Sequence, residues 1–291
     1  MCKKRHGVIH PYFGCKAALA TMHGKNLAIS PSFHKILQVS IQIPEEINTD
    51  DLGTFTGEIE RKGTPLETLR KKARIGMEHL GFKYGLASEG SFGPYVYLPF
   101  VAQDHEMLLW VDDERGIEIV EQKISTETNY GSKTVSTWND LEDFLEKALF
   151  PSHALIVRPN SGLIAGLTFK GIKNTNELQQ AIMRCASAST DGLALVQTDM
   201  RAHMNPARMK VISELAEKMA CRLASLCPAC SCPGWGIVDY VLGLPCEECG
   251  FKTKQIVQEV YGCADCDYKY AAPRGDGVTK SSPAYCDVCN P

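Results

Sequence analysis

The sequence predicts an α/β protein: a mixed sheet with flanking helices over residues 1–226, followed by a small zinc-ribbon domain over 227–291. Three observations carry this. Short β-branched or aromatic runs alternate with amphipathic helical stretches from about residue 17 onward, the pattern of strands covered by helices. Three strand candidates follow one another between 95 and 124 with no room for a helix, so part of the sheet pairs antiparallel. Cysteine use also breaks abruptly: of thirteen cysteines, only Cys2, Cys15, Cys185 and Cys221 precede residue 227.

Taken in order, "ALAT" (18–21) and "LQVSIQI" (37–43) read as strands, with a short helical turn at "PSFHKIL" between them. The clearest helix is 65–80. Thr64 caps it, Pro65 suits its first turn and Glu67 completes a capping box. Leu66, Leu69, Ala73, Met77 and Leu80 form one apolar stripe, and Gly81 stops the helix. In "KYGLASEGSFGP" (83–94) a strand is expected to end at Glu89, among glycines and serines. Strands follow at "YVYLPFV" (95–101), "EMLLWVD" (106–112) and "GIEIVEQKI" (116–124). A second amphipathic helix at 137–149 would turn Trp138, Leu141, Phe144, Leu145 and Leu149 inward and end before Pro151. "HALIVR" (153–158) and "LALVQT" (193–198) read as buried strands separated by a helix near 176–187. The last helix, with Asn205 as cap and Pro206 in its first turn, runs to about Leu226.

Composition bounds the function. At 291 residues and 44% hydrophobic the chain can bury a sizeable core, and a net charge of −3 argues against a general nucleic-acid coat. No apolar run approaches the ~20 residues that span a bilayer, so no membrane partner is expected. "MCKKRHGVIHPYFGCK" has basic residues but no apolar stretch after them, so it is not read as a signal peptide. A cytoplasmic, reducing setting follows, in which clustered cysteines bind metal rather than form disulfides.

The tail holds four C-x-x-C pairs: Cys227/Cys230, Cys246/Cys249, Cys263/Cys266 and Cys286/Cys289. Two thiolates at this spacing present both sulfurs to one ion, and eight make two closed four-sulfur sites, the arrangement of structural zinc. Iron–sulfur ligation is the competing reading, and a redox C-x-x-C lacks its thioredoxin-like context. Gaps of fifteen, thirteen and nineteen residues allow sequential pairing, while crossed and nested pairing stay open and Cys232 is left over. Residues 227–291 carry five Lys/Arg against eight Asp/Glu, which disfavours nucleic acid as the partner of the ribbons.

Polar groups collect where strands should end. Thr21, His23 and Lys25 follow the first strand; Asp50, Asp51, Glu58 and Glu60 come next; then Glu67, the basic run Arg70, Lys71, Lys72 and Arg74, and Glu89. Ligands of α/β sheets gather at the carboxyl ends of strands, so two carboxylates there could hold Mg²⁺. The plain alternatives are a capping box for Glu67, a solvated face for the basic run and a turn for His23. "QTDMRAHMNPARM" (197–209) adds Asp199, Arg201, His203 and Arg208, with an Asp199–Arg201 pair that merely anchors the loop as the plain reading. No P-loop, dinucleotide fingerprint, zinc-protease motif or nucleophile elbow is present.

"AT-x-H-G-K", "ETLRKKA" and "GLASEGSFG", in that order over residues 18–93, resemble the inosine/xanthosine triphosphate pyrophosphatases, which remove deaminated nucleotides. The places of that family's loop, helix glutamate and acidic–glycine turn are taken by Thr21, His23, Lys25, Glu67 and Glu89–Gly90. His23 stands where the family has Asn, the lysine spacing is one shorter, and the family's later basic elements are not recognisable after residue 150. The whole chain more closely resembles an uncharacterised bacterial family of unknown function, with which it shares "TFTGEIER", "ASEGSFGP", "TDMRAHMNPARM" and the C-x-x-C pairs. The expectation is a Mg²⁺-dependent hydrolase of a nucleotide or related phosphorylated small molecule. Glu89 and Glu67 would hold metal, Lys25 and Arg201 would neutralise phosphate, and His23 and Asp199 would stand in the same site. The alternative is a non-enzymatic module that binds nucleic acid or protein through its ribbons.

Overall fold

A computed structural model describes residues 10–45, 63–162 and 164–291, so Asp50, Asp51, Glu58 and Glu60 lie outside the described residues. The chain opens with β1 (Lys16–Leu19), a loop, and α1 (Asn26–Leu37). Only a short turn was expected here, yet the helix has twelve residues and absorbs Leu37, so the strand expected at 37–43 shrinks to β2 (Ser40–Gln42). Ala28, Ile29, Phe33 and Leu37 recur at helical spacing and are all buried. That burial outweighs Pro31 inside the helix, which removes one backbone hydrogen bond.

α2 (Pro65–Leu80) has the expected limits, the Thr64/Glu67 capping box and a left-handed Gly81 at its end. Next come β3 (Tyr84–Tyr95), β4 (Leu98–Asp112) and β5 (Ile117–Ser125), an antiparallel meander. Two expectations fail here. β3 does not end at Glu89, because each residue from Tyr84 to Pro94 has a partner in β4 and the ladder carries the backbone past the glycines. The run 95–101 is no single strand either: the chain reverses at Val96–Tyr97.

A second unit is built from β6 (Ser132–Val135), α3 (Glu142–Lys147), β7 (Leu155–Pro159), β8 (Phe169–Ile172), α4 (Thr175–Ala188) and β9 (Ala194–Thr198). The helix expected at 137–149 is a 3₁₀ turn at Trp138–Asp140 followed by the six-residue α3. Pro151 disfavours helical backbone at Phe150, and Leu149 turns away in a left-handed conformation with its side chain half-exposed. β6 and β8 were not foreseen; each has only four residues, too few to show a period. The sheet order is β6-β9-β7-β8, all antiparallel, with Leu178, Ile182 and Cys185 of α4 buried against it.

α5 (Pro206–Ala224), capped by Asn205, returns to the first sheet. That sheet has the order β2-β1-β3-β4-β5, with β1 parallel to both neighbours and the rest antiparallel. Leu86, Leu108, Trp110 and Ile119 on one face meet α1 and α5, while Ala18, Ala87, Leu109 and Val111 on the other meet α2. The tail forms β10 (Gly236–Leu242), β11 (Ile256–Gly262) and β12 (Lys269–Pro273), antiparallel. It sits close against β5: Arg222 donates to the Gly234 carbonyl at 3.1 Å, and a side chain at Gly234 would strike Ile119. Among the described residues no helix is long and apolar enough to cross a membrane.

Candidate functional site

The four cysteine pairs assemble as two quartets, Cys227/Cys230/Cys263/Cys266 and Cys246/Cys249/Cys286/Cys289, each with its sulfurs within 4.8 Å of one another. The pairing is therefore crossed, first with third and second with fourth. β10 explains it. The first pair precedes that strand and the second follows it, so they lie at opposite ends. Antiparallel pairing of Gly236 with Gly262 brings the third pair, just after β11, back to the first. A bridge between Cys246 and Ser281 sets the fourth pair beside the second. Either quartet could hold a metal ion, and four sulfurs on tight turns suit tetrahedral zinc. Burial opposes ionisation of Cys263, but N–H donors of Asp265 and Cys266, both 3.4 Å from its sulfur, help hold its thiol below the ordinary value. Cys232 joins neither quartet and is buried, its sulfur 3.6 Å from the Pro233 carbonyl.

A second concentration of chemistry lies beyond the carboxyl end of β1, alongside the middle of β3. α1 leaves β1 on one face of the sheet and α2 enters β3 from the other, which makes this the topological switch point. Lys25, at the start of α1, is buried and donates to the Ser88 carbonyl at 3.2 Å and its hydroxyl at 3.0 Å. It also lies 3.8 Å from Oε2 of Glu106, whose Oε1 accepts from Arg208 Nε at 2.6 Å. The Arg208 guanidinium also donates to the Met200 carbonyl and lies over Phe92, 5.1 Å from the ring centroid. Gly90 faces Glu106 across the ladder, and any side chain there would collide with this ion pair. Asp104 shares that face of β4 and is 1% exposed, and its Oδ1 has no hydrogen-bond partner among the described residues. On the opposite face of β3, buried Glu89 pairs with Lys72 of α2.

Burial and the neighbouring Glu106 carboxylate push the Asp104 carboxyl up to about 7. Burial lowers Lys25 to about 8, against the pull of Glu106. The Asp104 shift has a stability consequence of definite sign. With its pKa raised on folding, the native state holds a proton that the unfolded chain has already lost, from the ordinary value of 3.8 up to about 7. Its contribution to stability is thus fully present below 3.8 and lost as pH rises to about 7. Denaturant unfolding of wild type is expected to weaken over that window relative to Asp104→Asn, and superimposable pH profiles would refute the shift.

The structure does not place all of the expected site residues together. Lys25 and Glu89 both lie beside the middle of β3, Lys25 against Ser88 on one face and Glu89 against Lys72 on the other. Glu67 stands at the exposed start of α2, where its carboxylate accepts from the Thr64 N–H at 2.7 Å, the capping-box reading. Asp199 is gripped by Arg201, with Nε to its oxygens at 3.0 and 3.2 Å and Nη2 at 2.6 Å. It also accepts from the Gly171 N–H at 3.1 Å, so this pair anchors its loop. His23 stacks on His203 with ring centroids 5.3 Å apart, joining the two units beside Gly24. Burial and then Arg201 lower the His203 pKa.

Sequence reasoning passed over Asp104 and Glu106, read Lys72 as part of a solvated face, and noted Arg208 without giving it a role. Signals existed. Asp104, Glu106, Leu108 and Trp110 alternate on one side of a strand, which sets two carboxylates at inward positions. Arg208 lies on the helical stripe of Ile212 and Leu215, and Lys72 adjoins Ala73 on the apolar edge of α2. An open cavity of about 730 Å³ lies between the end of β5 and α5, lined by Lys123, Ser125, Asn129, Lys210 and Glu214 among others. On its rim Lys123 lies 2.9 Å from Glu214.

No curated protein matches the chain. Residues 72–291, from α2 through both cysteine quartets, match a domain of unknown function, and the protein belongs to that family, DUF6671.

Proposed function

We propose that the protein hydrolyses a nucleotide or a related phosphorylated small molecule in a crevice beyond the end of β1 and alongside the middle of β3, with Mg²⁺ as cofactor, and that both cysteine quartets hold structural zinc. The observation that carries the reading is the gathering of two buried cations, Lys25 and Arg208, and the half-buried Lys72 with three buried carboxylates, Glu89, Asp104 and Glu106, at one switch point. Burying an ion costs several kcal/mol, and well-packed apolar residues would stabilise a mere scaffold as well or better. Clustered ionisable groups with displaced pKa values are a mark of functional sites. The order Thr21, His23, Lys25, Glu67, Glu89 adds the resemblance to the inosine/xanthosine triphosphate pyrophosphatases. A reducing cytoplasm, which keeps the cysteines free for zinc, belongs to the same reading.

Among the described residues, only the cysteine quartets bring three or more such ligand side chains within reach of one ion. Mg²⁺ nevertheless suits the crevice, because it commonly takes one or two carboxylates and completes its shell with water and substrate phosphate. Glu89 is the carboxylate in position to hold it. Bound there, the metal would polarise a phosphoryl oxygen and activate water. Lys25 neutralises phosphate charge at the start of α1, and Lys72 exchanges Glu89 for a phosphate oxygen when substrate enters. Arg208 keeps Glu106 ionised and in place behind Lys25.

Phosphate or pyrophosphate release from a panel of nucleoside triphosphates with Mg²⁺ tests this. Wild type is expected to turn over at least one of them, and Glu89→Gln to lower kcat by about 100-fold or more. Unchanged turnover in that variant removes Glu89 from the mechanism. No turnover of any nucleotide favours the second reading, a binding protein. Tyr240, Leu242 and Tyr270 are exposed on β10 and β12, and the acidic balance of the tail directs that surface toward protein rather than nucleic acid.

A further inference from the structure

Alternation along β11 sets Glu259 and Tyr261 on one face of the tail sheet. Tyr240 of β10 stands opposite Glu259, and Tyr270 of β12 stands opposite Tyr261, so the four side chains share that face. The Tyr261 hydroxyl donates to Glu259 Oε2 at 3.0 Å. Trp235 extends the row, stacked on Tyr261 and on Tyr268 with ring planes 26° and 27° from parallel. Aromatic rings thus gather around a single carboxylate.

Packing within the chain does not account for this row. Tyr240, Tyr268 and Tyr270 are 49%, 42% and 56% exposed, and a contiguous exposed patch of large side chains marks a contact surface. The carboxylate is not neutralised either. Among the described residues no lysine or arginine lies within ion-pair distance of Glu259, although Arg274 follows β12 closely. Its guanidinium is engaged elsewhere, with Nε donating to Asp276 at 3.0 Å and Nη1 to the Ile256 carbonyl at 3.0 Å. Lys269, next to Tyr270 in β12, falls on the opposite face by alternation.

We infer that this face binds an arginine-bearing, cationic segment of a partner protein. The lone carboxylate among tyrosines selects the occupant. A nucleic acid needs cations, and this face offers none that is free. An acidic segment would set its charge against Glu259, and a purely apolar one would bury that carboxylate without compensation. A guanidinium answers both features, because its plane stacks on aromatic rings while its fork of donors meets a carboxylate. Tyrosine, tryptophan and arginine are also the residues in which interfaces concentrate their binding energy. This names the partner chemistry for the protein-directed surface of the second reading above, rests on that reading, and is independent of the crevice.

Fluorescence anisotropy with the full-length, metal-loaded protein tests it, using labelled peptides in which glycine alternates with arginine, lysine, serine or glutamate. The arginine peptide is expected to bind, the lysine peptide to bind more weakly, and the serine and glutamate peptides not to bind. Tyr270→Ala and Glu259→Gln, each with zinc content and melting temperature unchanged, should weaken the arginine peptide by about 5-fold. Glu247→Gln, which removes the same charge from the second cysteine pair, should leave its affinity as in wild type. Equal weakening in all three variants overturns the proposal, since it reports only general attraction to an acidic tail. Binding of the serine or glutamate peptide alone keeps the tail as a protein contact and overturns its cationic partner. Failure of every peptide to bind overturns both this assignment and the reading on which it rests. Capture of a labelled single-stranded oligonucleotide in place of the peptides overturns it in favour of nucleic acid.

Discussion

Withdrawing metal from the protein is expected to unfold the tail and loosen the α/β core with it. Structural zinc contributes about 10–16 kcal/mol of apparent binding energy to small folds of this kind, as much as the whole stability of an ordinary domain. The tail has little core of its own, and its three strands leave Val238, Tyr240, Leu242 and Tyr270 exposed. The first quartet is also continuous with the main core. Cys227 and Cys232 are buried in it, and Trp235 packs against it while stacking on Tyr261 and Tyr268, at 6.3 and 5.5 Å between ring centroids. Cys263→Ser should therefore lose one of two zinc ions and lower the melting temperature of the α/β part. Cys289→Ser, in the quartet farther along the strands, should lose the other ion with a smaller effect on that transition. Metal analysis and a thermal melt followed by circular dichroism check both. A melt unmoved by chelation, or a protein purified without zinc, would refute the structural role of the quartets.

The second large effect is expected at the Arg208–Glu106 pair. Both side chains are fully buried, joined at 2.6 Å, and Lys25 at 3.8 Å is the only other cation within ion-pair distance of Glu106 among the described residues. Arg208→Met leaves a buried carboxylate with that more distant partner, and loss of one member of a buried pair costs about 3–5 kcal/mol. Glu106→Gln should cost a similar amount, because it strands the guanidinium between Met200 and Phe92. The double variant Glu106→Leu/Arg208→Met removes both charges and should recover most of the loss. Urea unfolding of the four proteins measures the coupling. A single Arg208→Met variant within about 1 kcal/mol of wild type would show that the pair does not hold α5 to β4.

Helix α2 was legible in full because its signals are local. Thr64, Pro65, Glu67 and Gly81 each act on backbone groups within one turn, so the limits follow from neighbouring residues alone. The same holds for Asn205 at the start of α5. β3 was misread for the opposite reason. Gly85, Gly90, Gly93 and Pro94 weaken a strand locally, yet β4 supplies a cross-strand partner to every residue from Tyr84 to Pro94, and that partner lies elsewhere in the chain. α1 was underestimated likewise, since burial of Ile29 and Phe33 against α5 is invisible around Pro31.

The candidate site divides along the same line. Lys25 and Glu89 stood out in the sequence through their glycine-rich surroundings, and Glu67 through its spacing. That Glu67 caps a helix at the surface, that Asp199 is held by its own Arg201, and that Glu106 takes Arg208 from over a hundred residues away are facts of side-chain packing. Burial and distance, which govern the strength of an ion pair, belong to the folded chain.

By itself the sequence determined the α/β class, the best-capped helices and the eight cysteines able to bind metal, because spacing along a chain sets what lies within one turn. Only the tertiary structure decided which cysteine pairs share an ion and which charges are buried together. Antiparallel β10 and β11 return the third knuckle to the first, and β3 carries Gly90 past Glu106. Such meetings depend on strand direction and register, and neither is written in any local stretch of residues.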